Sequence, residues 1–173
     1  PYQHPVLRIV EFTGYATFAE SFSSTIPFSE AIGFIAEVEK GRPDAIDYPL
    51  YVTAHEVAHH WWGHQVLSAD SQGMTALVET LAQYSALMVM KHAYGPQVMR
   101  RFLRYELDRY LSGRSGEKKK ELPLLRVEDQ GYIHYSKGSL VMYGLQDLIG
   151  EDAVNQALRE VVQQYGDRGA PYP

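Results

Sequence analysis

The sequence predicts an α+β protein, with a small N-terminal β-sheet followed by a mainly helical body. Three observations carry this. Residues 6–12 are rich in branched side chains, as strands are. Gly and Pro then break the first third into short pieces. From Asp47 onward, helix caps and Gly or Pro stops follow one another at helix-length intervals.

The elements can be placed in order. Residues 6–12 form the first strand, and 23–26 and 33–38 are weaker strand candidates. Pro27 closes the one, and Gly41-Arg42-Pro43 lies beyond the other. Asp47 caps a helix with Pro49 in its first turn, expected to run to about residue 67. Residues 68–73 are a loop, and a second helix covers about 74–94, stopped by Gly95-Pro96. Pro96 opens a third helix, ending near Ser112-Gly113. Residues 112–125 form a polar connection, a fourth helix covers about 133–149 and stops at Gly150, and Asp152 caps a fifth that ends at Gly166. No internal repeat is visible, and the 173 residues fit one domain, 1–173. The chain begins Pro1-Tyr2-Gln3-His4 and ends Gly169-Ala170-Pro171-Tyr172-Pro173, so both ends are expected to be cut from a longer protein.

Composition excludes several classes. The net charge is −5, against a nucleic-acid binder with a basic face. The one basic run, Lys118-Lys119-Lys120, is flanked by Glu117 and Glu121 and reads as a solvated loop. There is no cysteine, which removes disulfides, thiolate metal sites and cysteine nucleophiles. No apolar run approaches the length of a membrane span, and no signal peptide is visible.

The chemistry lies in His55-Glu56-Val57-Ala58-His59. Two histidines at i and i+4 of a helix share one face, so their rings can converge on one ion. Glu56, beside them, can take a proton from metal-bound water. Catalytic zinc usually takes three protein ligands, and a two-histidine, one-glutamate set is a known one. If the 68–73 loop folds the next helix back on the first, Glu79 reaches the ion. His60 and His64 form a second i, i+4 pair, rotated by about 100° from the first. They are read as rim or core residues, and His4, His92 and His134 as structural.

At this point the residues resemble a family. His55-Glu56-x-x-His59, Trp61-Trp62-Gly63, the glutamate of the next helix and Tyr135-Ser136-Lys137-Gly138 are similar to the motifs of the gluzincin aminopeptidases, the family of aminopeptidase N and leukotriene hydrolase. The resemblance spans about residues 7–165 and implies a thermolysin-like zinc peptidase catalytic domain. It implies that Tyr135 hydrogen-bonds the oxyanion formed at the scissile carbonyl. Residues 79–86 look like a bacterial branch whose peptidase domains belong to larger ABC-transporter-like or membrane-linked proteins, so the parent is expected to be membrane-embedded.

The sequence departs from the family in three places. Nineteen residues separate His59 from Glu79, one more than the common spacing, and the 68–73 loop is the natural place for the insertion. The Gly-x-Met-Glu-Asn exopeptidase motif has Thr17-Phe18-Ala19-Glu20-Ser21 as its nearest equivalent. Ala86 stands where many relatives carry an acid that supports the zinc site.

The resulting expectation is a zinc metallopeptidase with one Zn²⁺ per chain held by His55, His59 and Glu79. Glu56 is the general base, Tyr135 the oxyanion donor and a peptide the substrate. Aminopeptidase action is expected, with Glu20 anchoring the free amino group. The alternatives are a zinc endopeptidase, and a zinc-containing peptide-binding module with little turnover.

Overall fold

In the computed structural model, residues 2–14, 17–39, 41–42 and 44–166 are described. Two strands open the chain, β1 (Arg8–Phe12) and β2 (Thr25–Ser29), paired in parallel with Ile9 opposite Ile26 and Glu11 opposite Phe28. β1 is largely exposed. β2 turns Ile26 and Phe28 into a core with Ile32, against Tyr48, Val52 and Val57 of the metal-motif helix.

Of the three expected strands, the second shifts and the third does not form. The chain at 23–24 is a tight turn, with Ser24 in the left-handed region at φ 58°, so the second strand begins at Thr25 and not at 23. The 33–38 candidate is not a strand. A short helix α1 (Glu30–Gly33) precedes it, and Phe34, Ile35 and Val38 are exposed and offer no buried face to a sheet. The sheet gains a partner that the strand signals did not mark. Residues 18–22 run antiparallel to β2, with the Ser29 N–H donating to the Phe18 carbonyl at 3.0 Å and the Phe22 N–H to the Thr25 carbonyl at 2.9 Å.

Helix α2 (Tyr48–Ala58) starts at Asp47, whose carboxylate accepts the Leu50 N–H at 3.0 Å. It ends earlier than expected. Past His59 the backbone tightens into turns, and Gly63 at φ +109° reverses the chain. That reversal turns Trp62 and Val66 into a core with Ala58 and Ala82, packed against Val161 and Val162 of the last helix. A continuous helix would carry the tryptophans away from this core.

The long helix α3 (Met74–Tyr94) packs antiparallel to α2, with His55 opposite Glu79 and Tyr51 opposite Gln83. A 3₁₀ turn at Pro96–Val98 leads into α4 (Met99–Gly116), which passes the expected stop at Gly113. Gly113 is there because Tyr132 lies so close that a Cβ would fall 2.4 Å from it. Tyr51, Ala86, Leu87, Met90, Met99 and Phe102 form the core shared by α2, α3 and α4.

The expected fourth helix divides into a π-helical turn at Tyr132–Lys137 and α5 (Gly138–Ile149). The last helix, α6 (Glu151–Tyr165), is preceded by Gly150 at φ +93°, and Asp152 lies in its first turn, not at the cap. Among the described residues no helix is long and apolar enough to cross a membrane.

Candidate active site

His55 and Glu56 close the last turn of α2 and are buried, and His59 follows as its C-cap. Glu79 comes from the second turn of α3. The structure brings three donor atoms into one small triangle. His55 Nε2 and His59 Nε2 lie 3.0 Å apart, and Glu79 Oε2 lies 3.2 Å and 3.3 Å from them. Among the described residues this is the one such group of three.

The fit to zinc can be tested on these atoms. His59 Nδ1 lies 3.0 Å from the Trp62 carbonyl, which can only accept, so the ring proton sits on Nδ1 and Nε2 carries its lone pair into the triangle. Glu79 Oε2 is buried and makes no good hydrogen bond. Electron-rich atoms facing one point at this spacing repel unless a cation lies between them. Four-coordinate zinc with ligands at roughly 2.0–2.2 Å sets neighbouring ligand atoms about 3.3–3.5 Å apart. The donor set, its spacing and its buried lone pairs fit the ion.

Electrostatics follow the same geometry. Burial works to raise the Glu79 carboxyl, but the His55 and His59 rings set directly against it hold it far below the usual carboxylate range. Burial lowers His59, yet Glu79 and the Trp62 carbonyl outweigh it and raise the ring. Glu56 is pushed up by burial, while His55 and His59 pull the other way.

Tyr135 sits on the π-helical turn with its ring 5.6 Å from His55. An extra residue in a helical turn re-aims side chains, and such turns are frequent at functional sites. Burial first, then the charge of Glu79, pushes the phenol well above its ordinary value. It therefore stays protonated and available as a donor. The turn is clamped to α3 where Thr80 Oγ1 donates to the His134 carbonyl at 2.6 Å, and Gly138 leaves room for Thr80.

A cleft of about 460 Å³ contains the triangle, Glu56, Tyr135 and Glu20. Glu20 is exposed on the ribbon beside β2, with its N–H donating to the Pro27 carbonyl at 3.2 Å. His64 also lines this cleft. His60 is buried instead against Tyr2 and His64, with Nδ1 3.1 Å from the Val57 carbonyl.

Sequence reasoning missed a buried support. Glu106 of α4 is fully buried, and its Oε1 accepts from Tyr51 at 2.8 Å and Gln83 at 2.7 Å, one turn from His55 and Glu79. Its signal was a carboxylate on the apolar stripe Met99, Phe102, Glu106. Ala86 itself is buried in the α2–α3–α4 core.

Fold and site together define a metal-dependent hydrolase, built around a two-histidine helix and a carboxylate on the helix that returns against it. The chain belongs to peptidase family M1, a family of zinc-dependent hydrolases: the model of the Peptidase family M1 domain matches residues 2–171. No curated protein sequence matches it significantly. Among solved structures it is similar to the M1 zinc metallopeptidase of Deinococcus radiodurans, at 21% identity and TM-score 0.69, covering 100% of this chain and 35% of that one. A mutant of that enzyme bound to a Tyr-Ser-Ala substrate matches at 20% identity and TM-score 0.67, covering 100% and 34%. Native yeast LTA4 hydrolase matches at 16% identity and TM-score 0.73, covering 95% and 26%. The chain thus spans about a third or less of the length of these structures.

Proposed function

We propose that this domain hydrolyses the N-terminal peptide bond of peptides, with zinc held by His55, His59 and Glu79. The observation that carries the reading is the single cleft in which the three-atom triangle, Glu56, Tyr135 and Glu20 meet. Zinc in such a site polarises the scissile carbonyl and acidifies water. Glu56 takes the proton of the attacking water and delivers it to the leaving amine. Its partial burial and upward-shifted pKa suit a group that must both accept and return a proton. Tyr135 donates a hydrogen bond to the carbonyl oxygen as negative charge develops there.

Glu20 supplies the exopeptidase element. A carboxylate at the cleft edge attracts the substrate α-ammonium and fixes the free end one residue from the metal, so that the terminal bond alone meets the water. The test compares one short peptide with a free and an acetylated N-terminus, in native protein and in Glu20→Ala. A strong preference for the free amine that collapses in the mutant is expected. Equal cleavage of both by native protein would replace this reading with an endopeptidase.

A further inference from the structure

A second recess opens from the zinc cleft toward the N-terminal end of α2. It has a volume of about 300 Å³ and is lined by Thr17, Phe18, Tyr48, Val52, Gln83 and Arg109, besides Ala19, His55, Glu56 and Tyr135, which it shares with the cleft. The two spaces lie in series along α2. The cleft extends past His59 and holds Glu20, and the recess runs back along Tyr51 and Val52. A substrate with its amino group at Glu20 and its carbonyl at the metal therefore places the residue after the scissile bond in the recess.

Arg109 brings a positive charge to this recess. It is exposed, and Nη1 donates to Tyr105 Oη at 3.2 Å while the guanidinium lies 5.5 Å from the centre of the Tyr105 ring. Tyr105, pushed up to about 12 chiefly by burial with Arg109 opposing, is neutral and offers no counter-charge. The acids nearest in sequence are engaged elsewhere. Glu106 is turned into the core onto Tyr51 and Gln83, so its charge acts on Arg109 at a distance without pairing with it, and Asp108 pairs with Arg104 at 3.8 Å. Among the described residues no carboxylate pairs with Arg109. The charge is also felt at the Tyr135 hydroxyl, which places it within electrostatic reach of the reacting bond. A guanidinium has five donors in a planar fork that matches a carboxylate, and among the described residues the one hydrogen bond of Arg109 is that to Tyr105.

We propose that Arg109 binds a substrate carboxylate on the leaving-group side of the scissile bond and so sets a preference for substrates that carry one there. That carboxylate is either the α-carboxylate of a dipeptide or the side chain of Asp or Glu following the bond. The assignment rests on the peptidase reading above and adds the chemistry of the recess. Glu56, the carboxylate of the recess, is the general base of the proposed reaction. Selectivity therefore falls to the cation. A charged partner in a partly enclosed site typically favours its ligand over the neutral isostere by roughly ten- to a hundredfold.

The test uses the full-length zinc-loaded protein and two matched pairs. Leu-Gly against Leu-Gly-amide reads an α-carboxylate, and Leu-Glu-amide against Leu-Gln-amide reads a side chain. The quantity is the ratio of kcat/KM within each pair, in native protein, Arg109→Gln and Arg109→Lys. At least one pair is expected to favour the carboxylate ten- to a hundredfold in native protein. The ratio is expected to fall to about one in Arg109→Gln and to recover in part in Arg109→Lys. Ratios near one for both pairs in native protein, or a ratio unchanged in Arg109→Gln, would overturn the proposal. Calorimetric titration of the same four peptides onto zinc-loaded Glu56→Gln gives a readout without turnover. If the native protein cleaves none of the four, the peptidase reading fails while the binding ratio still decides the role of Arg109. Absence of any carboxylate preference in binding would overturn that role as well.

Discussion

The proposed reaction places its proton transfer on Glu56 and its oxyanion donor on Tyr135. Glu56→Gln keeps size and hydrogen bonding but cannot accept a proton. The variant is expected to hold zinc with native affinity and lose about 10²–10⁴ in kcat, measured by metal analysis beside peptide hydrolysis. On the proposed mechanism, Tyr135→Phe removes one donor to charge that develops only in the transition state. It is expected to lower kcat by roughly 10²–10³ with a much smaller change in KM. A rise in KM alone would make Tyr135 a binding residue. At this scale the sequence was informative where the signal is local. His55, Glu56 and His59 lie within one helical turn, so their convergence follows from helix geometry alone. Arg109 and Glu106 gave no such signal, because their place depends on how α4 docks against α2 and α3. Tyr135, one of thirteen tyrosines, stood out only through the resemblance of its neighbours Lys137 and Gly138 to a family motif.

Among the elements, the helices were readable and the sheet was not. Caps and stops marked the start of α2 and the ends of α3 and α5 because Asp47, Gly95 and Gly150 act on the adjacent backbone. The end of α2 was misplaced because the reversal at Gly63 is favoured by burial of Trp62 and Val66 against α6, a contact outside any local window. The 18–22 ribbon was invisible as a strand because it pairs with β2 along one edge only. Two tests belong here. Gly138 sits where α5 leaves the π-helical turn, and a Cβ there would fall 2.2 Å from Thr80 Oγ1. Gly138→Ala is expected to cost about 1–3 kcal/mol in chemical denaturation and to lower kcat, since Thr80 adjoins Glu79 and clamps the Tyr135 turn. The second concerns the junction of α3 with α6, where Lys91 Nζ donates to Glu151 Oε2 at 2.7 Å. That hydrogen bond, with burial opposing, holds the Glu151 carboxyl below its usual value. A lowered carboxylate stabilises the fold above its unfolded pKa and loses that contribution as pH falls through the folded one. Glu151→Gln is therefore expected to cost about 0.5 kcal/mol near neutral pH. The difference from native protein should vanish in strong acid.

For the whole molecule, the architecture explains why a metal site forms here. α2 and α3 run antiparallel, the turns after His59 and the 68–73 segment return the chain, and one carboxylate arrives opposite two imidazoles. α4 backs the pair with Glu106 and sends Arg109 to the recess, while the ribbon beside β2 carries Glu20 to the other end. The α+β class and helical body were legible from caps and composition. The adjoining cleft and recess were not, since they need four separate segments in register. The central claim is that this arrangement exists to hold one zinc ion. Its most direct test is native mass spectrometry of the purified full-length protein and of Glu79→Ala, each titrated with zinc after chelation. The account expects one tightly bound zinc per chain in native protein, with affinity lost in Glu79→Ala. Full zinc affinity in Glu79→Ala, or no zinc bound by the native chain, would contradict it.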